Sequence, residues 1–350
     1  MLRKKELTSI LINAIFAKML LTYPRGIVLN SGSAAWIQVL YNFVVAFLIF
    51  FVTITAYRGK QNVIELAGIF GGKALRIIVG VIIFAVLIMN FVNIMRIFPE
   101  TIKIVLLQDT QLEVIMAVFV IAIIIGAYTG IESIARIHYL FLPIAALVFV
   151  VFLAMLLQYY KLDNIMPILG NGAKSILVSG FNSISIFSDM LLLYVLIPNA
   201  QNLDEAKQSG YKAIIIGGGV SVILMLAYCL THTYPVSSEF MLPIYQMARM
   251  IHLSSFFSRF EPFLQFVWTI LILLYSSLYV YTISYVWQVT FNLKSGNPII
   301  IPVALICHAA AMLPNSIING VKMESVMSML IYPPAFLIPL IFSFLSRRRK

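Results

Sequence analysis

Long apolar runs, separated by short polar stretches, cover almost the whole chain. A helix that crosses the hydrocarbon core of a bilayer needs about 20 mostly apolar residues. Runs near that length occur at roughly 7–29, 35–57, 75–98, 112–129, 134–158, 176–198, 211–235, 262–290, 298–314 and 325–346. The pattern therefore predicts an all-α polytopic membrane protein with about ten transmembrane helices, in which residues 1–350 form a single integral membrane domain.

The sixth predicted span differs from the others because polar residues crowd its first half. They are Ser179, Gly180, Asn182, Ser183, Ser185, Ser188 and Asp189. Unpaired polar groups are costly in hydrocarbon, so such residues normally face a cavity or another helix. A helix interrupted at mid-membrane, as in many transporter binding sites, is one interpretation. A straight helix whose serines bond to their own carbonyls is the alternative.

Two opposite charges lie at similar depth in the first and sixth spans. Lys18 is about 16 Å into its span and Asp189 about 20 Å into its own, at about 1.5 Å per residue. We expect an ion pair, which would either replace a coupling ion or simply tie two helices together. Two independent groups, with Lys18 neutral through desolvation, are the alternative.

The eighth predicted span carries a hydroxyl-rich face. Tyr275, Ser276, Tyr279 and Thr282 recur at helical spacing. Hydroxyl groups on one face can bind a small polar ligand, with the rings closing the pocket. They can equally serve interhelical packing, which is common in membranes.

Composition and charge agree with a membrane protein and argue against a soluble enzyme. The chain is 61% hydrophobic and 11% charged, with a mean hydropathy of +0.99. If the N-terminus is cytoplasmic, fifteen of the 24 Lys and Arg residues fall on the cytoplasmic side and eight outside. This bias predicts that both termini are cytoplasmic. The net charge of +11 then indicates anionic lipid rather than nucleic acid.

Motifs for catalysis and for cofactor binding do not occur in the sequence. It contains no Walker motif, catalytic triad, zinc motif or dinucleotide fingerprint, so we expect no enzyme activity, no cofactor and no metal. Cys229 and Cys307 lie in separate apolar runs and suggest no disulfide. The basic and apolar N-terminus is similar to a signal peptide but is expected to remain as the first span.

Five short motifs occur in order along the chain. They are Ala35-Trp36, GIESIAR at 130–136, NIMPIL at 164–169 with Gly172, Phe187-Ser188-Asp189 with Pro198, and Arg259-Phe260-Glu261 with Trp268. Together they resemble the B subunit of the nutrient germinant receptors of endospore formers. These spore germination permeases belong to the amino acid–polyamine–organocation (APC) superfamily.

The resemblance implies a LeuT-like five-plus-five inverted repeat, about 7–158 and 176–346, with discontinuous helices 1 and 6. It also implies amino-acid recognition between spans 1, 3, 6 and 8, residence in the inner membrane of the spore, and assembly with an A subunit and a lipoprotein C subunit. The sequence departs from the family at three places. Ala34 stands where the family commonly has an acidic residue before the Ala-Trp pair. Asp189 stands where the family commonly has Glu. Phe16-Ala17-Lys18-Met19 stands where superfamily transporters usually have a glycine-rich break, which weakens the expectation that span 1 unwinds as it does in them.

The leading hypothesis is a subunit that binds a small nutrient, such as an amino acid, through its ammonium and carboxylate at the breaks of spans 1 and 6. The candidate ligand-binding residues are Ala17, Lys18, Thr22, Ser183, Ser185, Phe187, Tyr275, Ser276 and Tyr279, with Lys18 and Asp189 as a gating ion pair. One alternative is a proton-coupled secondary amino-acid transporter that uses Asp189 or Glu132 as proton carrier. Another is a channel-like or structural subunit without a small-molecule site.

Overall fold

The computed structural model describes residues 1–251, 260–314 and 316–348. Arg259, part of one motif named above, lies outside these ranges. The α-helices of the described residues are α1 (Lys4–Met19), α2 (Tyr23–Ser31), α3 (Ala35–Ala56), α4 (Val63–Val105), α5 (Leu112–Tyr128), α6 (Gly130–Leu156), α7 (Ala173–Leu177), α8 (Leu191–Leu196), α9 (Leu203–Thr231), α10 (Val236–Glu239), α11 (Pro243–Arg249), α12 (Glu261–Phe291), α13 (Asn297–Met312) and α14 (Ile317–Arg348).

Each of the ten predicted spans coincides with helical chain. Within the described ranges, seven helical segments are long and apolar enough to cross a membrane by length and composition. They are Tyr23–Ala56, Val63–Val105, Gly130–Tyr159, Ala173–Asn199, Leu203–Thr231, Glu261–Phe291 and Ile317–Arg347. The helices α5 and α13 are apolar but shorter. The prediction of a polytopic all-α protein is therefore confirmed, while seven segments rather than ten meet the length and hydropathy criteria.

The first predicted span consists of two helices. α1 ends at Met19 and α2 begins at Tyr23, with Pro24 in its first turn. Proline has no N–H to bond the carbonyl four residues earlier, so the helical hydrogen bond to the Leu20 carbonyl is missing, which favours an interruption here. The flanking Leu20 and Thr22 keep right-handed backbone angles, with φ of −80° and −88°. The first span is therefore interrupted, as the resemblance implied, although the sequence has no glycine-rich break and the residues at the interruption keep right-handed backbone angles.

The sixth predicted span is also interrupted, over a longer stretch. Between α7 and α8 the chain forms a 3-10 helix of 12 residues, Ser179–Met190, which we call the central segment. Such helices rarely exceed three or four residues, because their hydrogen bonds are poorly aligned. Serine and asparagine side chains compete with the backbone for its hydrogen bonds, which weakens an ordinary α-helix here.

The connections between helices gather at two ends of the bundle. At one end, which we call the N-terminal end, Leu2 N–H donates to the Asn199 carbonyl (2.8 Å) and Lys60 Nζ donates to the Gln201 carbonyl (2.9 Å). At the other, the distal end, Ser33 Oγ donates to the Pro167 carbonyl at 2.7 Å. The central segment runs between these two ends.

Seven helices contact the central segment and position the residues discussed below. They are α1, α2, α3, α7, α8, α9 and α14, and α12 contacts α1 and α8 next to it. α4 packs against both α12 and α14. Residues from α1, α4, α12 and α14 can therefore reach the interruption in the sixth span.

Candidate functional site

An ion pair lies at the junction of α1 and the central segment. Lys18 Nζ is 2.9 Å from Asp189 Oδ1, and both side chains are excluded from solvent. The expected pairing of these residues is thus a geometric fact of the structure. Lys18 occupies the last turn of α1, where the carbonyl ends of the helix favour a cation.

Lys18 is held by acceptors from two further directions. Its ammonium donates to Asn90 Oδ1 on α4 at 2.9 Å, to the Ser185 carbonyl at 3.2 Å and to Ser188 Oγ at 3.1 Å. The Ser185 carbonyl is one of the free backbone groups that the interruption was expected to offer to a ligand. In the structure the protein's own lysine takes this carbonyl.

Asp189 accepts hydrogen bonds from two tyrosine hydroxyls of α12. Tyr275 Oη donates to Oδ2 at 3.2 Å, and Tyr279 Oη makes a short contact with Oδ1. All three side chains are buried, and the two rings lie 4.6 Å apart. The phenols therefore serve the buried carboxylate, whereas a ligand pocket lined by their rings was expected.

Amide side chains from α3 hold the first turn of the central segment. The Gly180 carbonyl accepts from Gln38 Nε2 at 3.2 Å and from Asn42 Nδ2 at 3.0 Å. Gln38 Nε2 also donates to Ser183 Oγ at 2.8 Å. A Cβ added to Gly180 would approach Gln38 Cδ to 2.6 Å, so glycine permits this close contact.

A cavity of about 230 Å³, lined by both polar and apolar residues, lies between α2, the central segment and α14. Its polar lining consists of Thr22, Tyr23, Asn30, Ser179, Asn182, Ser183, Ser185, Glu324, Ser325 and Ser328. Ligand pockets of drug-sized molecules run from about 300 to 1,000 Å³, so a cavity of this size suits a smaller molecule. The cavity lies against both helix interruptions.

Glu324 on α14 supplies the charge of this cavity. Its side chain is 6% exposed, and Thr22 Oγ1 donates to its Oε2 at 2.6 Å. Tyr23 Oη and Ser328 Oγ form a second bond between α2 and α14, at 3.2 Å. These two contacts fix α14 against the interrupted first span.

Three of the predicted binding residues line the cavity: Thr22, Ser183 and Ser185. The others lie elsewhere. Lys18, Tyr275 and Tyr279 belong to the ion-pair cluster; Ala17 and Ser276 are fully buried, and Phe187 packs with its ring 6.1 Å from that of Phe43. The predicted site thus separates into a cavity and a buried cluster behind it.

Comparison with known proteins places the chain in a family. The family model described as "Spore germination protein" matches residues 1–319. The chain belongs to this spore germination protein family. It is 24% identical to spore germination protein A2 of Bacillus subtilis (strain 168) over 351 residues, which cover 96% of this chain and 93% of that protein.

Two further relatives from Bacillus subtilis (strain 168) are similar over most of the chain. Spore germination protein B2 is 24% identical over 263 residues, 71% of this chain and 68% of the relative. Spore germination protein YndE is 23% identical over 274 residues, 75% of this chain and 74% of the relative. The resemblance to spore germination permeases seen in the motifs is therefore confirmed, and the family is one of membrane permeases rather than of enzymes.

Sequence reasoning did not find Glu324 or Gln38. The last predicted span began at residue 325, one position after Glu324, whereas α14 begins at Ile317. The signal was a carboxylate followed by Ser325 and Ser328 in an otherwise apolar run. Among the described residues, His, Cys, Asp and Glu form no group of three or more that could hold a metal ion.

Proposed function

We propose that this protein is the nutrient-binding membrane subunit of a germinant receptor, in which a small nutrient, most simply a free amino acid, triggers spore germination. The observation that carries the proposal is the polar cavity at the two helix interruptions. Discontinuous helices of this kind form the small-molecule sites of many membrane transporters. Membership of the spore germination protein family supports the biological role.

The proposal includes ten membrane crossings, in two repeats at about 7–158 and 176–346, in the inner membrane of the spore. The alternation of connections between the two ends of the bundle supports this count. In this scheme α1 and α2 together form one interrupted crossing, and α5 and α13 each form a short one. The larger share of lysine and arginine in segments assigned to the side of the N-terminus supports cytoplasmic termini. The cavity would then open toward the outer side.

Ligand binding would act by shifting a conformational equilibrium. A molecule in the cavity touches α2, the central segment and α14 at once, and therefore stabilises the arrangement in which the three are close together. An A subunit and a lipoprotein C subunit would bind this arrangement and transmit the signal. Neither the ligand contacts nor the transmission requires a bond to be made or broken, so the proposal involves no enzyme activity.

The ion pairs argue against the two proton carriers that the sequence suggested, Asp189 and Glu132. A carboxylate that carries protons must exchange them with water, but Asp189 is buried and contacts Lys18, Tyr275 and Tyr279. Glu132, the other carrier considered, lies half exposed at the N-terminal end, where it pairs with the amino group of Met1 and with Arg136. Neither group is a free carboxylate at mid-membrane.

The test uses the purified full-length protein in lipid nanodiscs and in proteoliposomes. Each of the twenty amino acids is screened by the shift it causes in thermal unfolding, and uptake of every hit is measured with and without a proton gradient. The variant Ser183→Leu places a larger apolar side chain in the cavity wall. Thr55→Leu, an exposed position on α3, is the matched control.

Saturable stabilisation that disappears in Ser183→Leu, persists in Thr55→Leu and is not accompanied by uptake is the expected result. Accumulation of the ligand driven by the gradient would replace the proposal with secondary transport. If no amino acid stabilises the wild-type protein, the proposed nutrient-binding role of the isolated subunit is wrong.

A further inference from the structure

The cavity between α2, the central segment and α14 has an unbalanced charge. Of the described residues that line it, Glu324 alone has a carboxyl group, and none has a cationic side chain. The remaining polar lining groups are hydroxyls and amides. A cavity with this lining attracts a positive group to the carboxyl, and it offers hydroxyls and amides but no cation to a negative group, so a ligand that carries only a negative charge is disfavoured.

Glu324 has no cationic partner in the described part of the chain. The ion pairs found there join Met1 to Glu132, Lys18 to Asp189, Arg96 to Glu100 and Arg136 to Glu132. Thr22 supplies one hydrogen bond to the Glu324 carboxylate, whose two oxygens can accept about four. An ionised carboxylate that is 6% exposed is stable only if a positive charge or further donors approach it.

The acceptors deeper in the protein cannot serve a ligand's positive group. Lys18 already contacts Asp189, Asn90 Oδ1 and the Ser185 carbonyl there. The Gly180 carbonyl is likewise occupied, by two amide donors from α3. Two backbone carbonyls at the interruption, where the sequence predicted ligand contacts with backbone groups, are therefore used by the protein itself.

We propose that Glu324 binds the ammonium group of the ligand, so that this cavity accepts amino acids or other organic amines and excludes neutral sugars and simple carboxylates. The inference rests on the proposed function, since it specifies the ligand class of the same cavity. Three N–H donors on the ammonium would meet the Glu324 carboxylate and neighbouring hydroxyl oxygens. Charge-assisted hydrogen bonds of this kind are roughly twice as strong as neutral ones.

Ser185 gives independent support for a ligand in this position. Its side chain lines the cavity and is buried, and its Oγ makes no well-formed hydrogen bond among the described residues, with the Tyr23 phenol close by. A buried hydroxyl without a partner costs about 1–3 kcal/mol. A ligand in the cavity would supply the missing partner.

The competing interpretation is a neutral, protonated Glu324 that recognises an uncharged ligand. The variant Glu324→Gln separates the two, because glutamine has nearly the shape of the neutral acid but cannot become an anion. It also keeps an oxygen for the Thr22 hydroxyl, so the contact between α2 and α14 survives. Glu324→Asp, which keeps the charge, covers the case in which the glutamine variant does not fold. Glu113→Gln removes an exposed carboxylate at the start of α5 and is the control.

The experiment measures thermal unfolding of the full-length protein in nanodiscs with two kinds of probe. The first is methylammonium chloride, compared with sodium chloride at equal ionic strength. The second is the amino-acid panel, with each hit compared with the α-hydroxy acid that replaces its ammonium by hydroxyl. We expect methylammonium and the amino-acid hits to stabilise the wild type and Glu113→Gln. In Glu324→Gln we expect affinity to fall at least about tenfold, about 1.4 kcal/mol, while Glu324→Asp retains measurable binding.

Each of the other possible outcomes contradicts the ammonium inference, the proposed function, or both. Equal amino-acid binding by wild type and Glu324→Gln, or equal binding of the hydroxy acid, overturns the ammonium inference and leaves the proposed function standing. Stabilisation by methylammonium that needs Glu324, without any amino-acid hit, supports the ammonium site and overturns amino-acid sensing. Stabilisation by sodium equal to that by methylammonium identifies an inorganic cation site and overturns the inference. If no probe stabilises the wild type, both the ammonium inference and the proposed function are wrong.

Discussion

Lys18 and Asp189 form a buried ion pair, with 2.9 Å between Nζ and Oδ1, directly behind Ser185 in the wall of the cavity. The pair joins α1 to the central segment at the level where both spans are interrupted. A movement that separates α1 from the central segment must break this pair or carry both groups along. The pair therefore couples the two interruptions mechanically.

Removing the cation of this pair should destabilise the protein strongly. Lys18→Met leaves Asp189 charged in a dry environment, and we expect a loss of about 3–5 kcal/mol in the free energy of unfolding. The double variant Lys18→Met/Asp189→Asn should lose less than the two single variants together, because neither residue then leaves an unpaired charge. Denaturant-induced unfolding in detergent micelles measures all four proteins. Strictly additive losses would mean that the pair contributes no coupling energy.

The two phenols of α12 should each stabilise the Asp189 carboxylate. Tyr279→Phe and Tyr275→Phe remove a hydrogen bond to a charged group, which is typically worth about 1.5–3 kcal/mol. We expect the loss in unfolding free energy to shrink in the Asp189→Asn background. Tyr281→Phe, a nearby residue of the same helix that does not bond to Asp189, is the control. Losses as large in Tyr281→Phe would assign the effect to packing instead.

Gln38 should hold the central segment in its 3-10 conformation. Its amide donates to the Gly180 carbonyl and to Ser183 Oγ. In Gln38→Leu the Gly180 carbonyl keeps only the hydrogen bond from Asn42 of these two side-chain donors. We expect faster backbone hydrogen exchange across Ser179–Met190, measured by mass spectrometry, because local opening becomes easier. Gln158→Leu, an exposed position, should leave exchange in this segment unchanged. Unchanged protection in Gln38→Leu would mean that α3 does not hold the segment.

Asn13 should connect three helices through one buried amide. Its Nδ2 donates to the Leu271 carbonyl on α12 at 2.9 Å and lies 3.1 Å from His138 Nε2 on α6. Since His138 Nδ1 bonds the Ile134 carbonyl at 2.8 Å, Nδ1 carries the proton and Nε2 accepts from Asn13.

We expect Asn13→Leu to lower the unfolding free energy by about 1–3 kcal/mol, because it leaves buried polar atoms without partners. A second substitution, His138→Phe, should recover part of this loss by removing one of those atoms. Asn319→Leu, at an exposed position of α14, is the control. An unaltered stability of Asn13→Leu in thermal unfolding would contradict the assignment of this bridge.

Several features of the fold and site follow from the sequence because they depend on local composition. Ten apolar runs coincide with helical chain, since a bilayer requires an apolar helix whatever its neighbours are. The interruption of the sixth span follows from a local excess of serine, asparagine and glycine between 179 and 189. Lys18 and Asp189 could be paired because the depth of a residue follows from counting along two helices.

Tertiary structure alone decided which polar atoms satisfy one another. Thr22 donates to Glu324, which is 302 positions away, so no local pattern could join them. Lys18 takes the carbonyl of Ser185, a residue that the sequence analysis assigned to a ligand, because α1 and the central segment pack close enough for its side chain to reach. The sequence thus determined where helices form and break, by hydropathy and backbone chemistry. The packing of distant helices determined which groups were left for a ligand, because a buried polar atom is satisfied by whichever partner the fold brings within about 3 Å.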